Sequence, residues 1–330
     1  MAGLDAVVLG AGVIGLTSAV RMAEAGLAVE CWTAEPPART TSRVAGALWA
    51  GSPLAGADGR LTRWARASLD AFGELAGEQS SGVRVAHGVV ASRHGAGEPP
   101  QMFPGVPMRT AAPPDGFVSA FELDAPLIDM PRYLEYLHGR LLRAGAAIRS
   151  RRVRSPAELA GHAPLVVNCS GLGSRELLPD ASMEPVRGQH VVVENPGLED
   201  FFIEDRGAQE WACWFPHGAR VVLGGVAQPG AVDPMPDPVV SAGIVARCAA
   251  VEPRLAGAPV LEELVGLRPS RPWVRLEAQA LGDTRWVHNY GHGRSGVSLS
   301  WGCAEEVLRI VDAMPAGGSS RRAGRSPGSR

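Results

Sequence analysis

At 330 residues and 45% apolar side chains, the chain is long enough to bury a large core and to hold two domains. Its net charge of −2 excludes a global attraction to nucleic acid or to an anionic membrane, and no run is apolar enough to span a bilayer. All 32 basic residues are arginine, which removes a phosphate-binding Walker lysine and Schiff-base chemistry.

The first element is an apolar run, Ala6-Val7-Val8-Leu9, ending in Gly10-Ala11-Gly12-Val13-Ile14-Gly15. Glycine is required at each of three places. Gly10 permits a tight turn out of a strand, Gly12 lets a pyrophosphate approach the backbone, and Gly15 lets the following helix pack close to the strand. The helix N-terminus then presents free N–H groups and a positive dipole end to phosphates. The helix runs to about Ala25, Gly26 reads as its C-terminal cap, and residues 27–32 read as a second strand. This opening predicts a dinucleotide site; the alternative is a merely structural turn. With no basic region before its apolar run, the N-terminus does not read as a secretory signal.

Next come two prolines and then small, hydroxylated residues over 40–49, suited to a segment lying close to a ligand, or alternatively to a helix N-cap at Thr40 or Thr41. Residues 61–75 have helical spacing, and 92–117 read as Gly- and Pro-rich loop with short strands. Pro131 opens a helix with Leu134, Leu137, Leu141 and Leu142 on one face, stopped at Gly145. A buried strand, 165–169, runs into the small-residue turn Ser170-Gly171-Leu172-Gly173, a second backbone approach to the dinucleotide. Strands near 191–194, 201–203, 211–215 and 221–226 suggest an antiparallel sheet. A helix over about 239–250 and a strand at 260–266 follow. A further strand, glycine turn and helix start at 287–296, with the helix reaching about Ala313, offer a second helix N-terminus to a ligand. The tail from Pro315 reads as disordered. Cys31, Cys169, Cys213, Cys248 and Cys303 have no paired spacing and read as buried thiols in a reducing, cytoplasmic setting.

Taken together, Gly10–Gly15, residues 40–49, Val167-Asn168-Cys169-Ser170-Gly171, Arg187-Gly188-Gln189, the run Gly-Leu-Arg-Pro-Ser-Arg-Pro at 266–272 and the run His-Asn-Tyr-Gly-His-Gly at 288–293 resemble the D-amino-acid oxidase family. The resemblance spans roughly residues 4–313. It implies an α/β fold in which a Rossmann-like FAD-binding domain (1–50, 145–186 and 265–314) is interleaved with a mainly antiparallel β-sheet substrate domain (51–144 and 187–264). The cofactor implied is FAD rather than NAD, because segments 40–49 and 288–296 have no role in a simple nicotinamide fold.

Carried over by position, the resemblance makes Arg268 the grip on the substrate carboxylate, for which a planar guanidinium with two parallel donors is suited. Arg271 and Arg275 fit structural ion pairs better. FAD contacts are implied for Gly10, Ala11, Gly12, Val13, Ile14, Gly15, Thr41, Ser42, Gly46, Leu48, Val153, Ser170, Gly171, His292, Gly293, Arg294, Gly296, Val297 and Ser298. The ribose acceptor is Glu35, with Glu30 as the alternative. His292 has the competing reading of a satisfied core histidine. Two family tyrosines are missing, with Cys213 and Ser52 at their places. Trp49, Trp211, Trp214 and Arg294 are the replacements to consider, each against a plain packing role.

The activity implied is oxidation of a D-amino acid to 2-oxo acid, ammonia and hydrogen peroxide, with the amino acid and molecular oxygen as partners. A homodimer is left open. The lost tyrosines keep a related flavin amine oxidase in play, acting on glycine, an N-substituted amino acid or a biosynthetic intermediate. A flavin-binding protein without turnover is the reading from another class, and Arg268 argues against it.

Overall fold

A computed structural model describes residues 3–51, 59–94, 99–205 and 209–314. Ser52 and the tail expected from Pro315 lie outside them. The dinucleotide reading begins with β1 (Ala6–Leu9), α1 (Val13–Glu24) and β2 (Val29–Thr33). All four β1 residues are buried, because helices and loops cover both faces of the sheet. Ala6 and Val8 join the main core with Leu16 and Val20 of α1. Val7 and Leu9 face a smaller cluster with Trp32, Val166 and Trp286. Gly26, at φ +91°, closes α1 as read.

The chain continues through α2 (Gly59–Leu75), β3 (Val83–Ser92), β4 (Met108–Ala111), β5 (Ser119–Ile128), α3 (Met130–Arg143), β6 (Ala147–Ser150), β7 (Leu165–Asn168) and α4 (Ser174–Leu177). Then come β8 (Glu184–Glu194), β9 (Phe201–Glu204), β10 (Glu210–His217), β11 (Arg220–Val226), the two-residue β12 (Gln228–Pro229), α5 (Pro238–Val251), β13 (Val260–Leu281), β14 (Thr284–His292) and α6 (Gly296–Ala313). One continuous sheet has the order β4-β5-β3-β9-β10-β11-β8-β13-β14-β7-β1-β2-β6. From β14 through β7, β1 and β2 to β6 the pairings are parallel. On the other side β10, β11, β8 and β13 pair antiparallel in turn.

β13 joins the two halves. Its first part pairs with β8 from Val260 to Ser270, and its second with β14 from Ser270 to Leu281. The sequence reading ended this strand at 266, short of Pro269 and Pro272. In the sheet Pro269 lies opposite Pro185, so two residues without N–H groups share one rung, and a register shift between Ser270 and Arg275 absorbs Pro272. β3 and β5 escaped the reading for a related reason. Gly88 interrupts β3, yet it marks a close approach: a Cβ there would lie 2.4 Å from the Phe201 ring.

Candidate active site

Where the two halves of the sheet meet, a cavity of about 780 Å³ runs from the start of α1 to the middle of β8 and β13. This size suits a small-molecule site.

At one end the walls are backbone. Gly10 adopts φ +99°, and a Cβ on it would lie 2.5 Å from the Cys169 carbonyl oxygen. A Cβ on Gly15 would lie 1.8 Å from the Gly10 oxygen. Gly15 does not line the cavity; it lets α1 settle onto the strand end, while Gly10, Ala11, Gly12, Val13 and Ile14 form the lining. Gly12 is the N-cap of α1 and has no side chain to cap it, so the helix start is finished from outside: the Val13 N–H donates to Ser42 Oγ at 2.9 Å. Ser42 lies in a short 3₁₀ turn, Thr41–Val44, which is fixed on its far side as well. Thr41 Oγ1 donates to the Leu267 carbonyl at 3.2 Å, and Gly266 leaves the room that Val44 fills. Thr40 and Thr41 show no side-chain capping bond, so the segment acts as cavity wall, with Gly46 and Leu48 continuing it.

Glu35 and Val153 line the same end. Glu30 does not; its carboxylate is held by Arg149 at 2.6 Å and by the Trp32 indole N–H at 2.9 Å. Ser170 and Gly171 contribute the turn after β7, where Asn168 Oδ1 accepts from the Ser170 N–H and hydroxyl.

Farther along, Gly293, Arg294, Gly296, Val297 and Ser298 bring the start of α6 to the cavity. His292 is buried, its Nε2 has no hydrogen-bond partner, and burial lowers its pKa to about 3. It is therefore not a satisfied core histidine; a neutral ring holds an open polar atom at the cavity wall.

The other end is made by side chains. The Arg268 guanidinium lies over Gly188, where a Cβ would come within 2.3 Å of it. Its Nη1 donates to the Val226 carbonyl at 3.1 Å, and among the described residues no carboxylate lies within ion-pair distance. Burial, and then the charge of Arg294, press its pKa down to about 10, so it remains a cation at neutral pH. Arg271 and Arg275 differ: Arg271 pairs with Asp180 at 3.1 Å, and Arg275 with Glu277 at 2.7 Å.

Cys213 lines this end with Trp211 and Phe215. Trp214 is a correction. It points to the opposite face of β10, stacks on Phe202 with ring centroids 4.4 Å apart, and donates to the Asp200 carbonyl. Trp49 is likewise core, donating to the Ala65 carbonyl.

Sequence reasoning missed His190 and the purpose of Gly188, which share one face of β8. The His190 ring contacts the Val44 carbonyl through Nδ1 at 2.9 Å. A carbonyl only accepts, so Nδ1 carries the proton and Nε2 the lone pair. Burial and the Arg268 charge lower its pKa to about 4. The only signal was a glycine inside a strand two residues before a histidine.

Glycine-rich backbone, two helix starts and the Arg268 guanidinium share this one cavity, an arrangement that suits a dinucleotide-dependent enzyme acting on a carboxylate. The chain belongs to the FAD dependent oxidoreductase family, whose pattern matches residues 5–310. It is 47% identical over 316 residues to a D-amino-acid oxidase of Streptomyces coelicolor, covering 93% of this chain and 96% of that protein. It is 43% identical over 314 residues to a D-amino-acid oxidase of Rubrobacter xylanophilus, with the same coverage. A shorter match, 41% over 187 residues, joins it to human D-aspartate oxidase, covering 56% of this chain and 54% of that one. Among solved structures, glycine oxidase of Geobacillus kaustophilus superposes with a TM-score of 0.78 at 18% identity, covering 96% of each chain, which shows a shared fold. FAD is the cofactor, and the residues present fit it: the cradle at Gly10 and Gly12, the open Nε2 of His292 and the α6 start all face one cavity. No helix among the described residues is long and apolar enough to cross a membrane.

Proposed function

We propose that this chain oxidises a D-amino acid to its imine, which water converts to a 2-oxo acid and ammonia, while oxygen takes the electrons and leaves as hydrogen peroxide. The observation that carries this reading is Arg268: a half-buried cation in the cofactor cavity with no carboxylate in ion-pair distance among the described residues. A charge held largely out of water is normally paired, so its partner is expected on the ligand.

Bound FAD supplies the two-electron acceptor. The rest is positioning by the protein. Arg268, set by Gly188 and the Val226 carbonyl, takes the α-carboxylate in a two-point grip and fixes the α-carbon. Trp211 and Phe215 keep that end apolar and dry, and the His190 Nε2 lone pair is a hydrogen-bond acceptor in the wall. The start of α6 would offer its N–H groups and the positive end of its dipole to electron-rich atoms of the bound cofactor.

Cys213, in the place where relatives of this fold were expected to carry tyrosine, sustains a second reading, an amine oxidase acting on glycine or an N-substituted amino acid. One experiment separates them. The purified yellow protein is mixed anaerobically with D-alanine, L-alanine, glycine or sarcosine, and air is then admitted. Bleaching by D-alanine alone, with peroxide formed on aeration, is expected. Equal bleaching by L-alanine, or bleaching only by glycine or sarcosine, contradicts the proposal.

A further inference from the structure

Two polar side chains of the cavity are bedded on glycines. The Arg268 guanidinium reaches from β13 over Gly188 of β8 and donates to the Val226 carbonyl of β11. His190, two residues along the same face of β8, is laid down in the same way. A Cβ on Gly224 of β11 would come 2.8 Å from its Cδ2 and 3.2 Å from its Nε2, and a Cβ on Gly46 would come 3.4 Å from its Cε1. One edge of the ring is tied, because Nδ1–H donates to the Val44 carbonyl at 2.9 Å. That bond fixes both tautomer and orientation, and leaves Nε2 as an acceptor beside Gly224. Cys213 flanks the same spot, its Sγ 3.0 Å from the Gly224 Cβ position. Among the described residues nothing donates to this Nε2, although His190 lines the cavity and is only 7% exposed. The ring is neutral near neutral pH, since burial and then the Arg268 charge push its pKa down to about 4.

A lone pair held out of water without a donor is unfavourable, and only a group bringing an O–H or N–H relieves it. Gly188 and His190 are one side-chain repeat apart on β8, about 7 Å. With the α-carboxylate on Arg268, the substrate amine stays two bonds from the carboxyl carbon. The γ atom of the side chain stands three bonds out, so it reaches farther along the strand. We propose that His190 is a specificity-determining residue whose Nε2 accepts a hydrogen bond from a donor at the γ position of the substrate, a hydroxyl above all. The ring then separates a hydroxyl-bearing D-amino acid from its methyl isostere, because the isostere leaves the acceptor unpaired. This rests on the D-amino-acid oxidase reading above.

The test compares D-serine with its isostere D-2-aminobutyrate, using FAD-loaded wild type, His190→Leu and His190→Gln, with D-alanine as the control for oxidase activity. Wild type is expected to favour D-serine in kcat/KM. The ratio should fall roughly 10-fold in His190→Leu, the scale of one neutral hydrogen bond, and recover in part in His190→Gln, which restores an acceptor. A binding readout accompanies it. 3-Hydroxypropionate should raise the melting temperature of the wild-type holoenzyme more than butyrate does, and this difference should vanish in His190→Leu. A wild type that favours D-2-aminobutyrate, or a ratio unchanged in His190→Leu, overturns the inference. So does an equal loss on both substrates, which would place the amine at His190. Loss of flavin from both variants also overturns it, by making the ring a support for the wall at Val44 and Gly46. If D-alanine reduces the wild-type flavin in those cases, the oxidase reading stands; if no D-amino acid does, both fall.

Discussion

The two ends of the cavity are built on different principles. At the end proposed for the dinucleotide, the walls are closely packed backbone: Gly10, Gly12 and the start of α1, with Ser42 finishing the helix. At the end proposed for the substrate, Arg268 has no protein anion among the described residues and lies near a neutral His190. The first end is complete in itself, and at Gly10 and Gly15 its backbone leaves no room for an added Cβ. The second is electrostatically incomplete until a ligand arrives. Damage to the first should therefore cost fold and cofactor together, whereas damage to the second should cost turnover and leave the cofactor in place.

The largest effect is expected from Gly15→Ala. Its Cβ would lie 1.8 Å from a backbone oxygen, which no side-chain movement relieves. Loss of several kcal/mol of stability and of nearly all bound flavin should follow, on the scale of severe overpacking. Thermal unfolding and flavin absorbance of the purified protein check this. A variant that retains full flavin would mean that α1 does not need this contact with β1.

Gly188→Ala should act at the other end only. Its Cβ would meet the Arg268 guanidinium, the mobile end of a side chain, so the arginine shifts and the fold survives. A loss of about 1–3 kcal/mol in kcat/KM is expected with flavin content retained. Added to Arg268→Ala, the same change should cost almost nothing more, because the group it displaces is gone. Additive losses would show that Gly188 serves something other than Arg268.

Acid stability is graded, and the part of it that one histidine carries is read as a difference of slopes. His190 and His292 have folded pKa values near 4 and 3, below the ordinary 6.5. Both are neutral in the folded chain near neutral pH. Stability is therefore full above pH 6.5 and declines as pH falls toward 4, where the unfolded chain takes up protons that the folded chain refuses. The decline is up to about 1.4 kcal/mol per pH unit for each histidine. Denaturant midpoints between pH 7 and 4.5 should drop less steeply in His190→Asn than in wild type. Parallel curves would mean that His190 is not held neutral.

The contrast also explains what was legible in the sequence. The dinucleotide end is written as spacing: strand, Gly-x-Gly-x-x-Gly, helix, then a capping glycine. Backbone geometry of this kind leaves a fixed signature in residue order. The substrate end depends on strand parity and neighbours. Trp211, Cys213 and Phe215 face the cavity while Trp214 faces away, and which face of β10 meets a ligand is decided by its register with β9 and β11. Arg268 was found by resemblance; its separation from Arg271 and Arg275 became physical only when Asp180 and Glu277 took the other two. His190 had no signature, because its role comes from a carbonyl 146 residues away.

The central claim is that Arg268 is the protein half of an ion pair whose other half is the substrate α-carboxylate. Anaerobic flavin reduction by D-alanine and by its decarboxylated counterpart ethylamine, in wild type and in Arg268→Ala with equal flavin content, tests it directly. Wild type should reduce far faster with D-alanine. In Arg268→Ala the rate with the acid should fall by the equivalent of about 3–5 kcal/mol, and most of the preference for it should vanish. Equal wild-type rates with acid and amine, or an unreduced preference in Arg268→Ala, would contradict the claim.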